Sequence, residues 1–376
     1  MADREPDIMA RIAPGVASVD AAAWDALAGH DPFTRHTFLA LLEDSDSVGG
    51  PSGWTPAPIL IDGADGMLAA AMPAYLKVHS QGEYVFDHGW ADAWQRAGRD
   101  YYPKLQIAVP FTPVPGRRLL GDQGQALIGA AETVTVQNGF SSAHATFIAE
   151  EEVADFEARN WLMRDGIQYH WFNRDYPDFD GFLEALASRK RKAIRKERVA
   201  AREGLEFVAL RGGEIEPAHW AAMWRFYQDT GERKWGRPYL TRAFFDGLGA
   251  ALGDAVLLLL ALKDGRPIAG ALNLVGADTL YGRYWGCSEE VPFLHFELSY
   301  YQAIEWAIAN GLSSVQAGAQ GEHKLARGYE PVITRSAHFL PDAGFRRAVA
   351  GFLDGERAAI AHELEVMRTM LPYRSA

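Results

Sequence analysis

The short segment Gln320-Gly-Glu-His-Lys324 carries four kinds of functional group. It places an amide, a carboxylate, an imidazole and an amine beside a glycine, which leaves the backbone flexible. Carboxylate and imidazole groups transfer protons in enzymes, and histidine does so near neutral pH. We therefore predict that Glu322 and His323 are catalytic and that Gln320 and Lys324 orient a substrate. A polar loop with a helix cap is the alternative interpretation.

A second pair of an acid and an imidazole, Asp87-His88, occurs in the first half of the chain. It follows Glu83-Tyr-Val-Phe, a run that favours a strand. The pattern predicts a strand over 83–88 with both polar side chains at its end, where a cleft would open. We therefore count Asp87 and His88 as candidate catalytic residues. An ordinary turn at the end of the strand would use the same residue types.

Arginine and aromatic residues alternate in Tyr281-Gly-Arg-Tyr-Trp285, a predicted strand. Side chains of a strand point to opposite faces in turn, so Arg283 is predicted to share a face with Tyr281 and Trp285 and not with Tyr284. These three residues are candidates for substrate binding. Buried aromatic residues of an ordinary core would give the same pattern.

Two further cationic segments could bind an anionic group. In Arg233-Lys-Trp-Gly-Arg-Pro-Tyr239, Lys234 and Trp235 are candidates for binding a carboxylate or phosphate and for stacking. In residues 189–198, seven of ten residues are basic, and Lys192 and Arg195 are candidates for binding a phosphate-bearing substrate. A surface loop and a solvated helix face are the respective alternatives.

A duplication indicates the elements that position these residues. Asn138-Gly-Phe-Ser-Ser and Asn310-Gly-Leu-Ser-Ser are nearly the same phrase, and each follows a pair of apolar runs joined by Asp-Gly. Asp-Gly between apolar runs predicts a β-hairpin, and the repeated phrase predicts a helix end followed by a strand. The sequence therefore predicts two α/β units, residues 1–175 and 176–376, with an insertion at about 101–124. The second unit would open with the basic helix 189–198.

Composition limits the class of protein. A length of 376 residues favours two domains, and one cysteine excludes an intrachain disulfide and a cysteine-based metal cluster. No apolar run approaches the roughly 20 residues of a membrane span, and no secretory signal begins the chain, so we expect a cytoplasmic protein. The net charge of −12 argues against DNA as a partner. No residue set calls for a metal.

Several phrases resemble those of known proteins. Lys324-Leu-Ala-Arg-Gly-Tyr-Glu-Pro331, followed by a predicted strand, resembles the ending of the GNAT acyltransferase fold. Two such units joined by a basic helix resemble the Fem-type transferases, which add amino acids from aminoacyl-tRNA to peptidoglycan precursors. The sequence as a whole most resembles the sequences of the FemAB-like group. The phrases that carry this resemblance are Gly82-Glu-Tyr-Val-Phe-Asp87, Tyr101-Tyr-Pro-Lys-Leu105, Lys234-Trp-Gly-Arg-Pro-Tyr-Leu240 and Gly318-Ala-Gln-Gly-Glu-His-Lys324.

The resemblance implies two GNAT-like domains, each with a mixed sheet flanked by helices, and an N-acyltransferase that acts in a cleft between them. The first domain would serve an amine acceptor and the second a donor, either an acyl thioester such as acyl-CoA or aminoacyl-tRNA. No cofactor would be tightly bound, and tRNA would be a possible partner. Arg327, within the GNAT-like ending, would bind substrate.

One departure from the GNAT pattern keeps an alternative open. The glycines that hold a pyrophosphate in acetyl-CoA-dependent GNAT enzymes are absent from 287–295, which instead contains two glutamates, Glu289 and Glu290. A non-catalytic ligand-binding protein built from degenerate GNAT domains is the alternative function.

Overall fold

The computed structural model describes residues 9–234, 238–318 and 321–374, without the side chains of residues 231–234 and of Glu322. Gln320 and Trp235 lie outside the described residues, as do the side chains of Lys234 and Glu322. The strands are β1 Ala10–Ile12, β2 Trp54–Pro56, β3 Ile59–Asp62, β4 Leu68–Met72, β5 Ala74–Lys77, β6 Lys104–Ile107, β7 Leu120–Gly121, β8 Ala143–Ile148, β9 Leu162–Phe172, β10 Glu206–Arg211, β11 Val256–Lys263, β12 Arg266–Val275, β13 Thr279–Cys287, β14 Ser314–Ala317 and β15 Glu330–Phe339. The helices are α1 Ala21–Ala28, α2 His36–Asp44, α3 His88–Arg96, α4 Gly124–Gln137, α5 Val153–Ala158, α6 Phe179–Ala185, α7 Ser188–Arg202, α8 Pro217–Lys234, α9 Arg242–Leu252, α10 Leu294–Phe296, α11 Gln302–Ala309 and α12 Ala343–Thr369.

The chain forms two compact α/β units. The first comprises Met1–Gly166 with Ile333–Ile360, and the second comprises Ile167–Val332 with Ala361–Ala376. The sequence predicts one boundary at 175, whereas the chain here also returns to the first unit after residue 332. The return has a physical reason, because Ser336–Phe339 pair with Ala143–Thr146 of β8.

In the first unit, β15, β8, β6, β5 and β2 are successive neighbours in one sheet, and β1, β3, β4 and β7 form another. Strands β6 and β8 are parallel, with Leu105 opposite Ala143. Residues 101–124, the predicted insertion, therefore include a central strand. The predicted strand at 83–88 is wrong, because these residues form a loop in which Gly82 and Tyr84 have φ values of 79° and 60° and helix α3 begins at His88. Extended strand backbone requires negative φ.

In the second unit, the strand order is β10-β11-β12-β13-β14-β9. Asp264 and Gly265 join β11 to β12 with φ values of 52° and 73°. Positive φ at both positions is the requirement of a type I′ hairpin turn, which confirms the predicted hairpin. Strands β13 and β14 are parallel, and the helical segment between them packs Leu298, Ile304 and Ala307 into the core.

The duplicated phrase ends a helix in both units. Gly139 and Gly311 have φ values of 66° and 68° directly after α4 and α11. The amide of Phe140 donates to the carbonyl of Thr135, and that of Leu312 donates to Ala307, so each helix ends in the hydrogen bonding of a Schellman motif. Strands β8 and β14 follow, as predicted.

Helix α8 lies so close to strand β13 that one position accepts only glycine. A Cβ atom on Gly286 would lie 2.1 Å from the carbonyl oxygen of Phe226. We expect Gly286→Ala to separate the helix from the strand and to lower the free energy of unfolding by about 1–3 kcal/mol, measured by urea denaturation. Gly355→Ala is the control, because no atom lies within 4 Å of its Cβ position. An equal effect of both changes would contradict this account.

Candidate functional site

Strands β13 and β14 separate in the second unit and leave a gap. Their pairing runs from Thr279 opposite Ser314 to Gly282 opposite Ala317. Strand β13 continues beyond this point to Cys287, whereas β14 ends at Ala317. Residues 283–287 therefore lie beyond the ladder with β14 and can face a ligand there.

A β-bulge re-aims the side chains at this gap. Leu272 of β12 opposes Tyr284, and Asn273 opposes Gly282, so Arg283 is the extra residue. A bulge interrupts the alternation of side chains along a strand. The guanidinium carbon of Arg283 accordingly lies 5.4 Å from the centre of the Tyr284 ring. The predicted separation of Arg283 from Tyr284 on opposite faces is therefore not observed.

The gap opens into a cavity of about 120 Å³, well above the ~15 Å³ that holds one water. Arg283 and Trp285 line it from β13, whereas Tyr281 is not among its lining residues. His295, Ser299 and Tyr300 line the opposite side, and the last two belong to a π-helical turn, Glu297–Tyr301. Such turns inside helices are frequent at functional sites.

Ser299 presents an unused polar atom at this cavity. Its Oγ is buried and has no hydrogen-bond partner among the residues that the structure describes. An unsatisfied buried hydroxyl costs about 1–3 kcal/mol. Neither Ser299 nor Tyr300 was predicted from the sequence as a site residue, since neither lies in a motif that indicates chemistry.

His323 contacts Tyr300, one of the residues that line the cavity. The Nε2 atom of His323 lies 2.9 Å from the hydroxyl oxygen of Tyr300. Burial raises the pKa of Tyr300, with a smaller opposite effect of Arg327. Tyr300 therefore remains a hydrogen-bond donor at neutral pH, while the His323 side chain is exposed to solvent.

Lys324 is buried and does not itself line the cavity, but it bonds to a residue that does. Its Nζ donates a hydrogen bond of 2.7 Å to the carbonyl oxygen of Gly318, a residue that lines the cavity. The side chain is 1% exposed, and burial lowers its pKa to about 7. Burial also lowers the pKa of His170 to about 4, and the Lys324 charge adds to this effect. Burial thus favours the neutral form of Lys324 far more than it is favoured in an exposed lysine.

The first unit separates the predicted pair Asp87 and His88. His88 is exposed and stacks on Phe86, with ring centres 5.9 Å apart. Asp87 is 3% exposed, and its Oδ2 accepts hydrogen bonds from Lys104 Nζ at 2.5 Å and from the Tyr101 hydroxyl at 2.7 Å. The two side chains therefore do not act as one pair.

Asp87 belongs to a buried polar network. Lys104 also donates to Glu83 Oε2 at 2.8 Å and to Ser80 Oγ at 2.9 Å. Burial raises the pKa of Glu83 to about 7, although Lys104 opposes this. Burial, the largest single influence, would also raise the pKa of Asp87, but the charge and hydrogen bond of Lys104 and the smaller contributions of other neighbours together outweigh it and hold that pKa below the ordinary value.

Two histidines extend the network across the sheet. His144 Nε2 lies 3.1 Å from the Tyr101 hydroxyl, and its Nδ1 lies 2.7 Å from Nδ1 of His338. Burial, with a smaller effect of Lys104, lowers the pKa of His144 to about 3. Both imidazoles are therefore neutral near pH 7, because the pKa of His338 is also lowered by burial. A sequence signal existed for four members, since Glu83, Asp87, Tyr101 and Lys104 lie in two of the phrases quoted above.

Comparison with known proteins decides the family. Residues 15–375 match the FemAB-like family, described as peptidoglycan biosynthesis/recognition. The chain belongs to the FemAB-like family. No curated protein matches its sequence.

Solved structures share the fold of this FemAB-like protein at low sequence identity. FemX is 12% identical with a TM-score of 0.54, over 88% of this chain and 98% of that one. The C-terminal domain of a putative lysylphosphatidylglycerol synthetase from Agrobacterium fabrum is 12% identical with a TM-score of 0.52, over 88% and 93%. A tandem GNAT protein from the clavulanic acid biosynthesis pathway is 13% identical with a TM-score of 0.46, over 89% and 98%. The predicted fold class, α/β with mixed sheets flanked by helices in two units, is confirmed.

Arg327 of the FemAB-like chain bonds to other protein groups. It donates to the carbonyl of His323 at 2.8 Å and to Glu197 Oε2 at 2.9 Å. Its guanidinium carbon lies 3.5 Å from the centre of the Phe296 ring. The bond to Glu197 connects the short helix Glu322–Arg327 to α7. Arg327 therefore has a structural role and positions the residues of this short helix.

The predicted phosphate-binding residues lie on the outer face of α7. Lys192 and Arg195 are exposed, and Arg195 pairs with Asp180 at 2.8 Å. Glu289, in the segment 287–295 that lacks the glycines of the GNAT pattern, pairs with Lys263 at 2.7 Å. Within the described ranges, no group of three or more His, Cys, Asp or Glu side chains could hold a metal ion, and no helix is both long and apolar enough to cross a bilayer.

Proposed function

We propose that the second unit catalyses transfer of an acyl or aminoacyl group to an amine. The observation that carries the proposal is the cavity at the separated strands β13 and β14, beside a buried lysine with a pKa of about 7. Membership of the FemAB-like family supports it. The name of the lysylphosphatidylglycerol synthetase, a structural relative, also denotes aminoacyl transfer. The donor is either aminoacyl-tRNA or an acyl thioester such as acyl-CoA.

The neutral Lys324 side chain is the proposed base. An acceptor amine enters as an ammonium ion, and Lys324 Nζ takes one proton from it. The amine nitrogen then forms a bond to the carbonyl carbon of the donor. The carbon–oxygen or carbon–sulfur bond of the donor breaks, and the second amine proton leaves with the departing oxygen or sulfur. A base whose pKa lies near the working pH is the most effective one.

Tyr300 is the proposed donor to the oxyanion that forms during attack. Tyr300 lines the cavity, and its hydroxyl stays protonated because burial raises its pKa. His323 holds that hydroxyl in place at 2.9 Å. One donor to an oxyanion contributes roughly 10²–10³-fold to the rate. Arg283 and Trp285 would contact the transferred group, and the catalytic role of Glu322 stays a prediction from the sequence.

The first test is a transfer assay with a blocked cavity. Purified protein is incubated with acyl-CoA or aminoacyl-tRNA and with pools of amines, and products are followed by mass spectrometry. We expect consumption of one donor, and we expect Ser299→Leu, which fills the cavity, to lower kcat/KM roughly tenfold or more. Ser313→Leu is the control, because Ser313 is exposed on the same unit. Consumption of neither donor would overturn the proposal.

A non-catalytic binding protein is the second candidate. Glu289 and Glu290 favour it, because the resemblance to GNAT enzymes would place the phosphates of acyl-CoA at 287–295, where this chain has carboxylates. Carboxylate and phosphate groups both carry negative charge and repel each other, so carboxylates there would oppose donor binding. Binding of a donor in calorimetry without any transfer product would establish this alternative, whereas turnover would exclude it.

A further inference from the structure

Helix α7 carries an unpaired cationic surface. Eight of its 15 residues are lysine or arginine. Five of these, defined here as the α7 cationic surface, form no ion pair with any residue in the described part of the chain: Arg189, Lys190, Arg191, Lys192 and Lys196. The whole chain has a net charge of −12. Cations concentrated within eight positions of such a chain therefore indicate a local anionic partner.

The fold does not require these five cations. Helix attachment uses other residues, since Arg198 and Arg202 bond to the buried Glu297 at 3.0 and 3.2 Å and Ile194 enters the core. Arg189, Lys190 and Arg191 occupy the first turn, where the helix dipole disfavours positive charge. The α7 cationic surface therefore contributes no stabilising ion pair within the described residues, and binding of an anionic partner would explain it.

Exposed aliphatic side chains accompany the cations. Val199 is 74% exposed, and Arg189, Lys192, Lys196 and Val199 follow one another at spacings of three and four along one helix face. The end of α12 adds Met370, which is 55% exposed. It lies near the start of α7, because the amide of Ala187 donates to the carbonyl of Pro372 at 2.8 Å.

We propose that the α7 cationic surface docks this protein on an anionic lipid surface. Lysine and arginine attract acidic headgroups, and adjacent aliphatic side chains enter the boundary of the acyl chains. Single-stranded nucleic acid is recognised by stacking of bases on aromatic rings. The side chains exposed here are valine and methionine, so lipid fits better. Docking would be peripheral and goes beyond the proposed transfer reaction.

The expected size of the effect follows from the charges. Each lysine or arginine near an anionic membrane strengthens binding by about fivefold at physiological salt. Arg189→Gln/Lys192→Gln/Lys196→Gln is thus expected to weaken binding by about 100-fold. Met370→Ser/Val199→Ser is expected to weaken it by a smaller factor that does not change with salt, because only the charge interaction is screened.

The experiment measures co-sedimentation of the full chain with vesicles. Vesicles of phosphatidylcholine with 30% phosphatidylglycerol are compared with phosphatidylcholine alone, at low and physiological salt. The matched control is Arg96→Gln/Arg225→Gln/Arg347→Gln, which removes the same charge from exposed positions outside α7. We expect the control to bind anionic vesicles as the unchanged protein does. Circular dichroism checks that every variant keeps its helix content.

Three results would overturn the proposal. The unchanged protein could fail to bind anionic vesicles, or both triple variants could lose binding equally, which would show an effect of net charge alone. Binding of unacylated tRNA that depends on α7, without binding of vesicles, would assign the surface to nucleic acid instead. None of these measurements depends on transfer activity, so failure of the proposed function leaves this test intact.

Discussion

Replacement of Lys324 by methionine is expected to lower the rate of transfer by about 10²–10⁴-fold, the usual contribution of a general base. The methionine side chain fills similar space but cannot take a proton from the acceptor amine. The measurement is kcat/KM with whichever donor the protein consumes. Lys263→Met is the control, because Lys263 is exposed and lies at the end of strand β11. Equal rates for Lys324→Met and the unchanged protein would remove Lys324 from the mechanism.

The pH dependence of the rate gives a second readout. Since the pKa of Lys324 is about 7, kcat/KM of the unchanged protein should rise with pH between 6 and 8 and then level off. Lys324→Arg keeps a charge but does not titrate in this range, so its residual rate should lack that rise. A rise of the same midpoint in both proteins would assign the titration to another group.

Replacement of Lys324 by methionine should also stabilise the fold. The pKa of Lys324 falls from 10.5 in the unfolded chain to about 7 in the folded one. Between these values the folded protein binds fewer protons, so the stability of the unchanged protein rises with pH from 7 to 10.5. Lys324→Met should therefore be more stable by up to a few kcal/mol at pH 7, and this advantage should disappear towards pH 10.5. Urea denaturation at both pH values measures it.

Local patterns sufficed for the elements whose structure is determined by neighbouring residues. The Asp264-Gly265 turn and the helix ends at Gly139 and Gly311 depend on which residues tolerate positive φ. The prediction of a strand at 83–88 was wrong because Lys104, which bonds to Glu83 and Asp87, holds these β-favouring residues in a loop. Tertiary contacts override such propensities.

The site required information that no local pattern contains. The bulge at Arg283 depends on how β13 pairs with β12, and the low pKa of Lys324 depends on the elements packed over it. The network joins His144 to His338, which lie 194 positions apart. Residue types at 320–324 indicated acid–base chemistry, yet only the fold shows that Lys324 is buried and His323 exposed.

The buried network of the first unit leads to the second large expected effect. Lys104→Met leaves the carboxylates of Glu83 and Asp87 buried without their cation. Removal of one partner of a buried ion pair costs about 3–5 kcal/mol, and we expect a loss of this size in urea denaturation at pH 8. Lys196→Met, at an exposed position, should change stability by less than about 0.5 kcal/mol.

The loss should depend on pH with a definite sign. In the unchanged protein the folded pKa of Asp87 lies below 3.8, so its contribution to stability is present above pH 3.8 and is lost as pH falls through the folded pKa. Without Lys104, burial is the largest remaining influence and raises that pKa. The folded variant then binds more protons than the unfolded chain, so its deficit should be smaller at pH 5 than at pH 8.

A compensated variant separates lost charge from lost packing. Lys104→Met/Glu83→Gln/Asp87→Asn removes all three charges and keeps side chains of similar size. Because no unpaired charge is then buried, we expect this protein to recover most of the stability that Lys104→Met loses. The stability of this variant should itself not change with pH through positions 83 and 87, since neither amide titrates. If the triple variant is as unstable as Lys104→Met at both pH values, packing of the lysine stem, and not its charge, holds residues 83–87 in place.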